Sequence, residues 1–245
     1  MRVASVVISV AGVPFEVRYP EGAVSVERAL APYATEEHAL FSVGPDASYE
    51  AWARSVVPGR PEEEYLHSGL LHQVALGLLP YGCLLLHAAV VAVDGRAYAF
   101  AAPSGTGKST HVGLWVRHFG GRARVVNGDK PILRRRNGAW LACAAPWAGK
   151  ENWQTRMDVP LAGLCFLERG DGNAIRPVAE REETDRLFAQ LDPPGDPALT
   201  DAWLRLVGGL VREVPSWQLT CTISAEAARL SYGAMSGRDD WDHGE

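Results

Sequence analysis

The sequence predicts an α/β fold in which a glycine-rich loop joins a buried strand to a helix. Three observations support this fold class. Apolar, strand-like runs alternate with segments of helical spacing after residue 60. A glycine-rich stretch at residues 102–110 lies between strand-like residues 97–101 and a helical pattern that continues to residue 119. The chain has 245 residues, 47% hydrophobic and 22% charged, which is the composition of a globular protein with a full core.

The composition argues against several classes of protein. The formal net charge is −5, so we expect no dominant nucleic-acid surface. No apolar run approaches the roughly 20 residues of a membrane-spanning helix, and the N-terminus resembles strands more than a signal peptide. We therefore expect a cytoplasmic protein with no membrane partner. The cysteines are scattered in apolar stretches without a Cys-x-x-Cys pair, which predicts buried thiols and no zinc site. They are Cys83, Cys143, Cys165 and Cys221.

Residues 1–60 are predicted to form a small β-containing region of their own. Apolar alternation over residues 3–10 and 13–19 predicts a hairpin. One hypothesis is that an edge strand of this region captures an extended peptide.

The main domain is predicted to span residues 61–235, followed by an acidic tail at residues 236–245. It begins with a helix over residues 62–79, after the breaker at residues 58–61. Strands are then expected at residues 83–93, 97–101, 124–126, 131–136, 139–145, 161–167 and from 174 onward. Further helices are expected near residues 182–191 and 197–211.

The stretch that carries most chemical information is the glycine-rich loop. Glycines let backbone N–H groups close around an anion, and the start of the helix adds partial positive charge. Lys108 can reach the β- and γ-phosphates of a nucleotide, and the Ser109 hydroxyl can bind Mg²⁺. The pattern departs from a full phosphate loop at Ala102, where the first glycine would stand. A dinucleotide fingerprint is disfavoured because its third glycine would fall on Thr110. The predicted nucleotide-binding residues are Ser104, Gly105, Thr106, Gly107, Lys108, Ser109 and Thr110.

Two further residues and one segment are candidates for the site. Asp129 follows a predicted strand about 20 residues after the loop, where an acid often lies beside the metal. The alternative is a turn aspartate before a proline. His87 lies in an apolar strand, where a buried core histidine is the simpler interpretation. Residues 146–152 are polar and contain glycine, which suits either substrate contacts or a solvated loop.

Together these pieces resemble the HPr kinase/phosphorylase family, in particular its shorter relatives that accompany ribosomally made peptide precursors such as lasso peptides. In that family a strand carrying His-Gly precedes a strand, the phosphate loop, a helix and a strand ending in acidic residues. The matching pieces are His87-Ala88, the strand to Ala101, Pro103-Ser104-Gly105-Thr106-Gly107-Lys108-Ser109 and Val125-Val126-Asn127-Gly128-Asp129. The segments that resemble the short relatives are Pro146-Trp147-Ala148-Gly149-Lys150-Glu151, Val159-Pro160-Leu161, Phe166-Leu167-Glu168 and Val214-Pro215-Ser216-Trp217-Gln218-Leu219. The resemblance covers roughly residues 63–230.

The resemblance implies a phosphoenolpyruvate-carboxykinase-like nucleotide fold and ATP-dependent, Mg²⁺-assisted phosphorylation of a serine. Carried over by position, Lys108 and Ser109 hold the phosphates and Mg²⁺. Asp129 is the acid at the metal, the base for the attacking hydroxyl, or both, and His87 orients it. Lys150 is our candidate for stabilising the transferring phosphoryl group or gripping an acidic acceptor.

Two departures from the family pattern matter. The family ends its strand with two adjacent aspartates, whereas Gly128 stands at the first position here, unless a group such as Glu151 supplies the second carboxylate. The phosphorylase signature has no obvious counterpart, so we expect kinase activity without the reverse reaction. Because the chain is shorter and its N-terminal region differs, we expect an acceptor other than HPr.

The expected function is transfer of the ATP γ-phosphoryl group to a serine of a small peptide or protein. Two alternatives stay open: a small-molecule kinase that uses the same loop, and an ATP-binding regulator that transfers nothing. Since the family assembles as oligomers, a homo-oligomer is also an expectation.

Overall fold

The computed structural model describes residues 2–238, so most of the predicted acidic tail lies outside the described residues. The chain divides into two compact units, one up to Cys83 and the other from Leu84 onward. The predicted boundary at residue 60 differs from this division. The helix over residues 62–78 accounts for the difference, because it packs against the preceding helix of the first unit. Among residues 2–238, no helix is both long and apolar enough to span a membrane.

The first unit contains a three-stranded sheet and three helices. Its strands are β1 (Val3–Val10), β2 (Val13–Pro20) and β3 (Ser42–Val43), and its helices are α1 (Val24–Leu30), α2 (Ala47–Val56) and α3 (Glu62–Leu78). The predicted hairpin is confirmed: β1 and β2 pair antiparallel, and Ala11 and Gly12 both have positive φ, as a two-residue hairpin turn requires. The outer edge of β1 is partly covered, because the backbone N–H of Thr35 donates to the Val7 carbonyl at 3.0 Å. Less of that edge is therefore open to a peptide than the sequence suggested.

The second unit confirms the predicted mixed α/β class. Its strands are β4 (Cys83–Leu85), β5 (Ala88–Val93), β6 (Arg96–Ala101), β7 (Ala123–Asn127), β8 (Ile132–Arg136), β9 (Ala139–Cys143), β10 (Asp158–Arg169), β11 (Ala174–Pro177) and β12 (Ser216–Cys221). Its helices are α4 (Lys108–Phe119), α5 (Glu180–Phe188), α6 (Pro197–Glu213) and α7 (Ala225–Ser236). The single strand predicted over residues 83–93 is wrong, because the chain leaves the strand conformation at Leu86 and His87.

The strands of the second unit form one curled sheet in the order β4-β8-β9-β10-β6-β5-β7, with β12 beside β10 and β11 beside β12. The long strand β10 pairs antiparallel with β9 at its start and parallel with β6 and β12 further along. Because β5 is antiparallel to both β6 and β7, the start of β5 lies at the same edge as the ends of β6 and β7. Since β10 runs parallel to β6 and β12, the ends of β10 and β12 lie at this edge as well. The ends of β6, β7, β10 and β12 and the start of β5 therefore converge on one edge of the sheet.

Helix α4 packs one apolar face against this sheet. Val112, Trp115 and Phe119 are almost fully buried there, in a core that also contains Phe100 and Tyr232. Their spacing of three and four residues places them on one face of the helix. This packing fixes the start of α4 next to the end of β6.

Glu183 on α5 gives the folded protein a pH-dependent stability. Its side chain is 2% exposed, and one carboxylate oxygen accepts a 2.7 Å hydrogen bond from the Ser216 hydroxyl. The other oxygen has no partner among the described residues. Burial raises the pKa of Glu183 from 4.5 to about 7, which outweighs the opposing effect of Ser216. The folded state thus binds more protons than the unfolded state between these two pH values, so stability falls as pH rises through that window.

We expect Glu183→Gln to remove this dependence and to raise the free energy of unfolding at pH 8 by at most about 3 kcal/mol. Denaturant unfolding at pH 5, 6.5 and 8 measures the effect. Asp185→Asn, an exposed position on the same helix, is the matched control and should keep the wild-type slope. An unchanged slope in Glu183→Gln would show that another group causes the dependence.

Candidate functional site

The loop between β6 and α4, residues 102–107, is here called the glycine loop. Gly105 and Gly107 have φ of +78° and +120°, and a Cβ added at either would meet no atom within 4 Å. These glycines are therefore required by backbone conformation, since other residues rarely adopt such values. Ala102 is not among the residues with positive φ, so an alanine fits where the full motif has glycine. The loop ends at the start of α4, whose first N–H groups have no partner within the helix.

Lys108 is the first residue of α4, and its side chain folds back across the glycine loop. It is 7% exposed, and Nζ donates to the Ala102 carbonyl at 2.7 Å. Nζ also lies 3.1 Å from Nε2 of His87. Burial lowers the pKa of Lys108, although the charge of Asp129 acts in the opposite direction. The ammonium group is thus held at the centre of the loop by groups that a phosphate could replace.

His87 and Asp129 meet beside this lysine. Nε2 of His87 is 3.3 Å from Oδ1 of Asp129, and the backbone N–H of Ala88 donates to the Asp129 carbonyl at 3.1 Å. Burial raises the pKa of Asp129, but the hydrogen bond from His87 and the charges of Lys130 and Lys108 outweigh it, so the pKa is lowered. Nε2 is a single hydrogen-bonding position shared by Lys108 and Asp129: it accepts from the lysine or donates to the carboxylate. The three residues form one contiguous group at the strand edge.

Asn127 braces this group, and the sequence-based prediction gave it no role. It is fully buried, and its Oδ1 accepts from the backbone N–H groups of Asp129 and Lys130 at 2.9 and 2.7 Å. Its Nδ2 donates to the carbonyls of Ala145 and Trp147. The end of β7 is thereby tied to the loop that follows β9. An asparagine two residues before an aspartate in a turn is the sequence signal that could have indicated this brace.

Gly128 is closely covered by the loop that follows β9. A Cβ on Gly128 would lie 3.0 Å from the Ala148 carbonyl and 3.4 Å from Cβ of Trp153. A second aspartate could not enter there unless the loop moved. Nearby, a Cβ on Gly149 would lie 3.6 Å from Cγ of Asp129 and 3.7 Å from an oxygen of Glu151. The Glu151 carboxylate therefore lies on the same side of Gly149 as Asp129.

The remaining predicted residues are more exposed. Ser109 is half-buried in the first turn of α4, while Ser104 and Thr110 are exposed. Lys150 is exposed, and no contact within residues 2–238 holds it against Asp129, so the structure does not bring it into the group. No set of three His, Cys, Asp or Glu side chains in the described part of the chain forms a metal cage. The oxygens of Ser109, Asp129 and Glu151 nevertheless suit Mg²⁺, which commonly takes one or two carboxylates together with substrate phosphates.

Arg169, at the end of β10, was also missed. Its guanidinium donates to the carbonyls of Gly105 and Thr106 at 2.5 and 3.2 Å. Because 60 or so residues separate it from the glycine loop, no local pattern indicates this contact. These two bonds hold the outer turn of the glycine loop against the end of the neighbouring strand β10.

The sequence matches the family model of the SynChlorMet cassette protein ScmC over residues 66–189. This region is about half of the chain and contains the glycine loop, His87, Asp129 and Glu151. The comparison with curated proteins gives no match. Among solved structures, the chain is similar to the Hpr(Ser) kinase/phosphatase from Coxiella burnetii, with a TM-score of 0.37 and 12% identity, covering 65% of this chain and 96% of that one.

Proposed function

We propose that this chain, which belongs to the family of the SynChlorMet cassette protein ScmC, transfers the γ-phosphoryl group of ATP to a serine hydroxyl of a small peptide or protein. The acceptor we favour is a ribosomally made peptide precursor. The observation that carries the proposal is the junction of Lys108, His87 and Asp129 beside the glycine loop. Nε2 of the His87 imidazole lies 3.1 Å from the Lys108 ammonium and 3.3 Å from the Asp129 carboxylate.

Nucleotide binding is assigned to the glycine loop and the start of α4. The triphosphate would be held by backbone N–H groups of residues 104–110, with Lys108 exchanging its bonds to loop carbonyls for bonds to phosphate oxygens. The Ser109 hydroxyl and the Asp129 carboxylate would hold Mg²⁺, and Glu151 would supply the second carboxylate that the chain lacks at Gly128. An ion held there would neutralise charge on the transferring phosphoryl group.

In the proposed reaction the serine oxygen attacks the γ-phosphorus in line with the bond to the β-phosphate oxygen, which breaks to release ADP. The hydroxyl proton passes to a carboxylate, and Asp129 is the residue that we assign to this role. Phosphoryl transfer has a loose transition state, so the proton is needed late and an ordinary carboxylate suffices. When phosphate draws Lys108 away, Nε2 of His87 is left to bond with Asp129 alone and to orient it. The roles of Lys150 in gripping the acceptor and of residues 1–60 in peptide recognition remain predictions.

Mass spectrometry of purified protein incubated with Mg-ATP and peptides encoded beside its gene tests the proposal. We expect one peptide to gain a single phosphoryl group, with fragmentation locating it on serine. Phosphorylation of a metabolite but not of any peptide would favour the small-molecule kinase instead.

One observation favours a second candidate, a nucleotide-binding regulator that transfers nothing. The strand end has one carboxylate, and the position of Gly128 is closed to another by the Ala148 carbonyl. This candidate predicts ATP binding without any phosphorylated product. The same incubation, combined with calorimetry, separates it from the kinase.

A further inference from the structure

A cavity of about 330 Å³ lies beside the glycine loop and shares Thr106 and Gly107 with it. One wall is formed by the loop and the first turns of α4, and the opposite wall by the ends of β10 and β12. The lining includes Thr110, His111, Leu114, Leu167, Thr222 and Ile223. The volume is at the small end of the range for ligand pockets, which suits one compact molecule better than a peptide.

The wall and rim of this cavity are largely apolar. Leu114 and Leu167 face it, and Ile223 stands at its rim with 73% of its surface exposed. Ile223 is the most exposed of the large hydrophobic side chains within residues 2–238. Together with Leu114 and Leu167 it gives the cavity an apolar lining, which is typical of ligand pockets.

The charged groups around the cavity already have protein partners. The Glu168 carboxylate accepts from Arg186 at 2.7 Å and from Gln218, and Arg169 donates to the loop carbonyls described above. His111 is bonded to the Ser231 hydroxyl at 2.9 Å, and burial lowers its pKa to about 4, so it is neutral near pH 7. The lining thus offers an uncharged ligand an apolar surface with a few hydroxyl groups.

The position of the cavity in the sheet indicates which ligand it takes. The glycine loop leaves β6, which lies between β10 on one side and β5 on the other. The cavity is on the β10 and β12 side, whereas His87 and Asp129 are on the β5 and β7 side. A triphosphate held by the loop would therefore have one end at the cavity and the other end at Asp129.

We infer that this cavity binds the purine base and ribose of the nucleoside triphosphate, which leaves the side of Asp129 and residues 146–153 to the phosphate acceptor. The inference rests on the proposed function, because it needs a triphosphate in the glycine loop. Leu114 and Leu167 would contact the flat base, Ile223 would cover it, and Thr110 would lie near the ribose.

The test compares two ligands that share phosphates and differ in the nucleoside: Mg-ATP and inorganic tripolyphosphate with Mg²⁺. Ile223→Asp places a charge at the cavity rim and, because the residue is exposed, should leave folding intact. Calorimetry should show ATP binding weakened about tenfold or more, with tripolyphosphate affinity unchanged within about twofold. Leu204→Asp, an exposed leucine on α6, is the matched control and should change neither affinity.

Two results would overturn the inference. Unchanged ATP affinity in Ile223→Asp would place the nucleoside elsewhere, and equal losses for both ligands would mean that the change acts through the glycine loop. Failure of the proposed function has a different signature. If the glycine loop holds no triphosphate, the wild-type protein binds neither ATP nor tripolyphosphate, and if only transfer fails, the wild-type protein binds ATP but yields no phosphorylated product.

Discussion

Lys108→Ala is expected to abolish phosphoryl transfer and to weaken Mg-ATP binding by about 100-fold or more, because the variant loses the cation at the centre of the glycine loop. Charge-assisted hydrogen bonds contribute roughly 1.5–3 kcal/mol each, and a tenfold change in affinity corresponds to about 1.4 kcal/mol. Two such bonds to phosphate oxygens therefore account for the expected loss. Calorimetry measures the affinity, and mass spectrometry of the acceptor measures transfer.

The variant also removes the donor to the Ala102 carbonyl, so folding must be checked by thermal unfolding. Arg205→Ala provides the control, since this arginine is an exposed cation on α6 away from the glycine loop. We expect it to bind ATP and phosphorylate the acceptor as the wild type does. A folded Lys108→Ala protein with undiminished ATP affinity would remove the glycine loop from nucleotide binding.

Features with a local signature could be predicted from the sequence. The β1–β2 turn has a two-residue connection with positive φ, and the β8–β9 turn is marked by Asn137-Gly138. Residues 105–108 follow a strand and begin a helix as the motif requires. The resemblance to the HPr kinase/phosphorylase family predicts that His87 orients Asp129. In the structure, Nε2 of His87 lies 3.3 Å from Oδ1 of Asp129.

What the sequence could not indicate depends on contacts between distant segments. The bonds from Arg169 to the glycine loop follow from the parallel pairing of β6 and β10, which no local pattern reveals. Strand β12 was not predicted either, because four of its six residues are only partly buried and it pairs with a strand about 50 residues earlier. Likewise, the two bonds that Asn127 Nδ2 donates to the Ala145 and Trp147 carbonyls depend on how the loop after β9 folds back.

Gly128 illustrates how the structure changes the interpretation of a missing residue. In the sequence, Gly128 stands where the family pattern has the first of two aspartates, and the missing carboxylate weakens the case for catalysis. In the structure the space beside it is filled by Ala148 and Trp153, and the same loop carries Glu151 to the side of Gly149 that Asp129 occupies. The loop thus leaves no room for a carboxylate at position 128, but it places the Glu151 carboxylate on the side of Asp129. A site with these two carboxylates is therefore a testable hypothesis.

Asp129→Asn is expected to keep Mg-ATP binding within a fewfold of wild type and to slow transfer about 1000-fold, because an amide cannot accept the serine proton. The substitution conserves shape, and the bonds from Asn127 to the backbone of residues 129 and 130 do not involve the changed atoms. Single-turnover transfer measured at saturating ATP separates loss of chemistry from loss of binding. Full activity in this variant would remove Asp129 from the mechanism.

Glu151→Gln in the same assay distinguishes the two carboxylates. If Glu151 only helps to hold Mg²⁺ while Asp129 also takes the proton, Glu151→Gln should raise the Mg²⁺ concentration needed for half-maximal ATP binding, and saturating Mg²⁺ should restore transfer. Asp129→Asn should not be rescued in this way, because added metal cannot replace a proton acceptor. Rescue of Asp129→Asn by Mg²⁺ would instead limit Asp129 to metal binding and assign the proton to Glu151. The Mg²⁺ dependence of ATP binding, read by calorimetry, decides between these assignments without relying on turnover.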